Sequence, residues 1–300
     1  MDKFPSRERS AAATLAPRVT AVVVIAHKLH GGVARWAPVE LCLRSALAEP
    51  SVDQLVVVDL GNDPIMSSEL RAFRADRRDV KLITAPPHTT AAAGANLGAQ
   101  HAIGRWLLFL EPDVVLQRGA VTRLIGAGGR EGAPCIIGGR LTDTTGRDRL
   151  VARAGALTTF SAIAVAMGWP GPKQRTRRRR APSGAPTRVA AVSGALMLVP
   201  RSDFDALKGF DEAFATDAAD LDLCRRAVAA GGSVLFLPAA SGVQFERARR
   251  GRKQAQGLAL FASKSARTPL EKLFALVAGP ALTVLLTLKT LFIGRPPVRR

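Results

Sequence analysis

Acidic side chains stand at three places in this sequence where carboxylate chemistry is well served. Asp59 closes the apolar run QLVVVD, Glu111 and Asp113 follow the run WLLFL, and Asp220 and Asp222 open the helical stretch ADLDLCRR. A carboxylate at the carboxyl end of a buried strand faces the crevice where open α/β sheets bind their ligands. There it can ligate a hard divalent cation or accept a proton. A carboxylate in the first turn of a helix is held ionised by the macrodipole, ready for that second task.

The elements that position these acids follow from periodicity. Residues 19–26 (VTAVVVIA) form a continuous β-branched run, the pattern of a strand buried on both faces. After a loop containing Gly31 and Gly32, helical spacing predicts a helix over 38–48. Further strands are predicted at 54–59, 80–84 and 106–110, with helices at 69–75 and 91–103 between them. Such alternation predicts an α/β fold with a doubly wound, mostly parallel sheet flanked by helices.

Beyond Asp113 a helix is predicted over 119–125 and strands over 135–139, 189–199 and 233–237. Ser202 and Gly209 are expected to bound one short helical turn, and Asp217 to cap the helix carrying Asp220. Residues 140–188 are weakly patterned and hold the basic run Arg175 to Arg180, which reads as a solvated insert. The boundaries expected are a flexible leader over 1–18, a main domain over 19–250 and a basic, apolar tail over 251–300. In that tail Thr268-Pro269-Leu270-Glu271 is a helix start, followed by an apolar stretch over 270–293 interrupted by Gly279-Pro280. Its thin polar stripe favours a kinked helix lying in a membrane interface over a spanning helix or one packed on the domain.

Composition narrows the classes. A 300-residue chain with 47% hydrophobic residues buries a substantial core. Cys42, Cys135 and Cys224 are widely separated and form neither a disulfide framework nor a zinc cluster. The net charge of +19 attracts polyanions. The absence of tyrosine and the 5% aromatic content disfavour a base-stacking nucleic-acid platform. The first 18 residues lack the apolar core of a secretory signal. The sequence contains no GxSxG elbow and no GxxxxGK[ST] phosphate loop, so hydrolase and P-loop readings have no support.

Several motifs recur together at set spacings: Gly94-Ala95-Asn96-Leu97-Gly98, Gly104-Arg105, Glu111-Pro112-Asp113, Ser193-Gly194-Ala195, Gly209-Phe210-Asp211-Glu212 and Ala219 to Arg226. In these the chain resembles the family 2 glycosyltransferases of GT-A fold, particularly the rhamnosyltransferase-like members, over about Val19 to Phe245. The resemblance implies that Asp220 is the general base and that Asp113, assisted by Glu111, holds Mg²⁺ or Mn²⁺. It places Asp59 and Asn96 at the nucleotide, and Ser193, Gly194, Asp222 and Arg226 in the donor and acceptor pocket. Arg226 has a second reading, as partner of a structural carboxylate.

Three positions depart from the family pattern. Leu60 replaces an asparagine, Ala219 a glutamate and Gln244 a histidine. The activity implied is an inverting transfer from a nucleotide-sugar donor, such as dTDP-rhamnose, to a lipid-linked saccharide acceptor. It would take place at an anionic membrane surface on the cytoplasmic face of the inner membrane, with no nucleic-acid partner. The competing expectations are a non-catalytic GT-A scaffold, suggested by Ala219 and Gln244, and a basic nucleic-acid-binding protein.

Overall fold

The computed structural model describes residues 18–25, 36–128, 134–149, 152–153, 157–166, 184–215, 217–245 and 252–276. The leader, the arginine run and the apolar stretch beyond residue 276 lie outside them.

The first half alternates as its periodicity predicts. β1 (Val19–Ile25), α1 (Trp36–Leu47), β2 (Val52–Asp59), α2 (Pro64–Ala75), β3 (Val80–Thr84), α3 (Ala91–Gln100) and β4 (Trp106–Leu110) follow in order. The four strands pair in parallel as β3-β2-β1-β4. Asp63 caps α2 by accepting from the N–H groups of Ile65 and Met66, with Pro64 in the first turn. Thr90 caps α3. That helix lies close on the sheet because Gly98 faces β1, where an added Cβ would stand 2.5 Å from a Val22 methyl.

The second half extends the sheet with mixed polarity. β5 (Val114–Leu116), α4 (Ala120–Gly128), β6 (Cys135–Thr142), β7 (Ala152–Arg153), α5 (Thr159–Ala166), β8 (Thr187–Arg188), β9 (Ala191–Val192), β10 (Leu196–Pro200), α6 (Arg201–Ala206), α7 (Ala219–Ala229), β11 (Ser233–Gln244) and α8 (Arg252–Ser265) complete the order. β10 runs antiparallel to β4 and β6, β6 runs parallel to β11, and β5 closes the edge antiparallel to β11. One apolar layer joins α1, α2 and α4 to one sheet face; a second joins α3, α6 and α7 to the other.

Four expectations change. The strand expected over 189–199 is broken at residues 193–195, between β9 and β10. Ser202 lies inside α6, whose N-cap is Pro200 without a side-chain bond, although Gly209 does adopt the left-handed backbone of a stop. Asp217 does not cap α7; the capping position falls on Ala218, at φ 71°. The weakly patterned segment contains α5, which packs on α8 around Ala162, Ile163, Phe261 and Ala262. The predicted apolar helix is described only over 269–276, where the capping pair Thr268 and Glu271 forms. No helix among the described residues is long and apolar enough to cross a membrane.

Candidate active site

The parallel strands deliver the acids to one edge of the sheet. After β4 the chain turns through Glu111-Pro112-Asp113, closed by the Val114 N–H donating to the Glu111 carbonyl at 3.1 Å. The amide of Gln244, the last residue of β11, donates to Glu111 Oε2 at 2.5 Å and reaches Asp113 Oδ1 at 3.4 Å. Gln244 thus ties the two acids to the end of β11, where it stands in register with Val114 of β5. A polar amide there holds them together without adding positive charge.

Asp220 reaches the same place from α7. Its Oδ2 accepts the Gly194 N–H at 2.9 Å and its Oδ1 accepts the Leu221 N–H at 2.8 Å. The break between β9 and β10 is what frees the Gly194 N–H from the ladder. An added Cβ at residue 194 would lie 3.5 Å from the Asp220 Cβ, so the two chains pass at van der Waals distance.

A cleft of about 200 Å³, open on one side, runs along these groups. Val22 and Val24 of β1 line it, together with Glu111, Gly194, Asp217 and Asp220. Asp113 is not on its wall; it stands beside Glu111 under Gln244. Glu111 is open to water through the cleft but closely surrounded by protein. That desolvation, followed by the negative charges of Asp113, Asp220 and Asp217, pushes its carboxyl up to about 8.

Asp217 is the site residue that sequence reading missed. It was expected to be a cap; instead the left-handed, buried Ala218 turns the chain so that Asp217 and Asp220 both line the cleft. A non-glycine residue in that region carries strain, which here coincides with the acid pair. An acid three residues before Asp220 was the available signal.

Other expected site residues are committed elsewhere. Asp59, 3% exposed, accepts from the Gly61 and Asn62 N–H groups, the Asn62 amide and the Ser67 hydroxyl. Burial alone would raise its pKa, but these four donors hold it below the usual carboxylate range. It organises the β2–α2 loop and does not line the cleft.

Asn96 donates to the Phe210 carbonyl and to Glu212, and accepts the Phe210 N–H, so it clamps the 209–212 segment. Asp222, 1% exposed, pairs with Arg225 at 2.6 Å and Arg226 at 2.7 Å. Arg226 also donates to the Leu207 and Gly209 carbonyls. Of its two readings the structural one is realised, and neither Asp222 nor Arg226 lines the cleft. Ser193 caps its own turn by accepting the Ala195 N–H.

The sequence profile of Glycosyl transferase family 2 matches residues 22–197, over half of the chain. The chain belongs to glycosyl transferase family 2. The family's matched region ends before Asp217 and Asp220. An N-acetylglucosaminyl-diphospho-decaprenol L-rhamnosyltransferase of Mycobacterium tuberculosis is 28% identical over 190 residues, covering 55% of this chain. The chain spans 61% of that relative's length.

Solved structures share the family's GT-A fold. GalNAc-T7 with UDP, GalNAc and Mn²⁺ superposes with a TM-score of 0.62 at 15% identity, over 83% of this chain and 48% of that one. Mannosyltransferase PcManGT from Pyrobaculum calidifontis, in complex with GDP-Man and Mn²⁺, gives 0.57 at 15% identity, over 95% and 78%. TarS of S. aureus gives 0.52 at 9% identity, over 94% and 76%.

Among the described residues no three His, Cys, Asp or Glu side chains surround a point where a metal ion could sit. The acid pair under Gln244 is therefore at most part of a coordination shell. A cation held by one or two carboxylates plus substrate phosphate is the usual arrangement for Mg²⁺. Burial is the larger cause of the raised Glu111 carboxyl, and such a cation would relieve the repulsion from Asp113, Asp220 and Asp217 that adds to it.

Proposed function

We propose that this chain is an inverting glycosyltransferase, moving a sugar from a nucleoside-diphosphate donor to a lipid-linked saccharide. The observation that carries the reading is the convergence of Asp220, Asp217 and Glu111 on one cleft at the carboxyl ends of β1 and β4. Asp220 is the base. Two backbone N–H groups fix its oxygens while lone pairs remain for a hydroxyl proton. The acceptor oxygen bonds to the anomeric carbon as the bond to diphosphate breaks, and the hydroxyl proton passes to Asp220. One base and a departing group opposite the attacking oxygen invert the configuration.

When bound, Mg²⁺ or Mn²⁺ neutralises the charge developing on the diphosphate. Glu111 and Asp113 are the side chains that would hold it, kept adjacent by the Gln244 amide. Support for a divalent metal comes from the two fold relatives solved with Mn²⁺. Support for rhamnose as the sugar, and for a polyprenyl diphosphate-linked acceptor, comes from the name of the mycobacterial relative, and dTDP-rhamnose is the donor we propose. We propose the cytoplasmic face of the inner membrane as the place of work, a reading for which the net charge of +19 suits an anionic surface.

The test is a thermal-shift screen against UDP, GDP and dTDP with and without Mn²⁺, followed by turnover of the stabilising nucleotide's sugar. Stabilisation grows with ligand concentration over Kd, so the preferred nucleotide stands apart. No stabilisation by any of them would sink the proposal. A second reading, a non-catalytic scaffold, draws on Ala219 and on Gln244 occupying the acid pair. It predicts neither hydrolysis nor transfer of a nucleotide-sugar, and no metal-dependent nucleotide binding.

A further inference from the structure

We infer that the helix over 269–276 carries a docking face for an anionic phospholipid surface, built on the same small core that shapes the cleft. The inference rests on the proposed function only for the lipid-linked acceptor; its geometry stands alone.

The helix begins rigidly. Glu271 accepts the Thr268 and Arg267 N–H groups at 3.1 and 2.8 Å, and its own N–H donates to the Thr268 hydroxyl at 3.2 Å. The one acid of this stretch is thereby turned back onto the helix start. Leu270, Leu273 and Leu276 follow at intervals of three and are 69%, 59% and 71% exposed. Residues so spaced share one side of a helix. Phe160 of α5, itself 44% exposed, meets Phe274 at 4.7 Å between ring centroids, so the stripe is anchored rather than free.

Single exposed leucines are ordinary, but three in one short helix beside an exposed ring form a contiguous apolar patch. Arg267 and Lys272, both exposed, stand next to the stripe. Apolar insertion flanked by cations is the pattern of an interfacial helix on anionic lipid. A second copy of this chain suits the patch poorly, because two molecules of charge +19 repel.

The patch is joined to the site. Phe274 packs against the core of Ala162, Ile163, Phe214, Ala218, Phe261 and Ala262, and Phe214 and Ala218 line the cleft. A surface seated on the stripe is therefore one packed layer from the acids.

The experiment is sedimentation of the full chain with vesicles of phosphatidylcholine alone or with phosphatidylglycerol added. The wild type is expected to partition at least about tenfold more strongly to the anionic vesicles. Leu270→Ser/Leu273→Ser/Leu276→Ser is expected to lose about tenfold of that binding, and Arg267→Glu/Lys272→Glu to lose the preference for anionic lipid. Equal binding by the triple variant and the wild type overturns the inference. So does a triple variant that only converts a dimer to a monomer while vesicle binding persists. Stabilisation by nucleotide and Mn²⁺ is measured without vesicles. If it fails while the vesicle pattern holds, the catalytic reading falls alone; if it holds in the triple variant, lost vesicle binding is not misfolding.

Discussion

Gly194 donates its backbone N–H to Oδ2 of Asp220 at 2.9 Å, joining residues 26 apart in sequence. The bond sets one carboxylate oxygen and exists only because the strand is interrupted at that point. Replacing the acid with its amide keeps the shape and removes the proton acceptor. Asp220→Asn is expected to lower turnover by about 10²- to 10⁴-fold with little change in melting temperature. Steady-state rates with a nucleotide-sugar, beside thermal melts, check this.

Asp217 adds negative charge to the cleft without a counterpart among the family motifs. Asp217→Asn is expected to weaken Mn²⁺ binding by about three- to tenfold, the scale of one partly exposed charge interaction. Calorimetric titration of the nucleotide-bound protein with Mn²⁺ measures it. Unchanged affinity would assign Asp217 to the acceptor side of the cleft.

Glu111 gives the fold a pH dependence opposite in sign to that of a salt-bridged acid. Its carboxyl is raised from 4.5 to about 8, so the folded protein holds a proton that the unfolded chain releases. Stability from this group is full below the unfolded value and is lost as pH rises through the folded one. Metal-free thermal melts from about pH 5 to about pH 9 are expected to decline, and Glu111→Gln to flatten the decline.

Asp222 is a stability residue. Removing its charge leaves Arg225 and Arg226 without their buried partner, so Asp222→Asn is expected to cost about 3 kcal/mol. Urea unfolding measures the loss, and nucleotide affinity of the folded fraction stays unchanged.

The strands and the turn bearing Glu111 were readable because β-branched runs ending in acids leave few alternatives. Asp222 and Arg226 were harder. Their types suit phosphate or sugar binding, yet their i,i+4 spacing on a helix is also that of an ion pair, and only the fold shows which partner is near. Asn96 and Asp59 carry the same ambiguity, since a hydrogen-bonding side chain looks identical in sequence whether it serves a ligand or a loop. Asp217 escaped notice because alanine gives no sign of a left-handed turn at residue 218.

Gly257 of α8 lies so close to the Asp217 backbone that an added Cβ would stand 2.3 Å from its carbonyl oxygen, and Lys264 pairs with Asp211 at the loop's other end. The acid-bearing loop is thus splinted by a helix well outside the region recognisable as family 2. Chimeras that exchange specificity by swapping segments should carry residues 211–265 as one block. A junction placed between the loop and its splint would leave an intact sheet with a misaligned base.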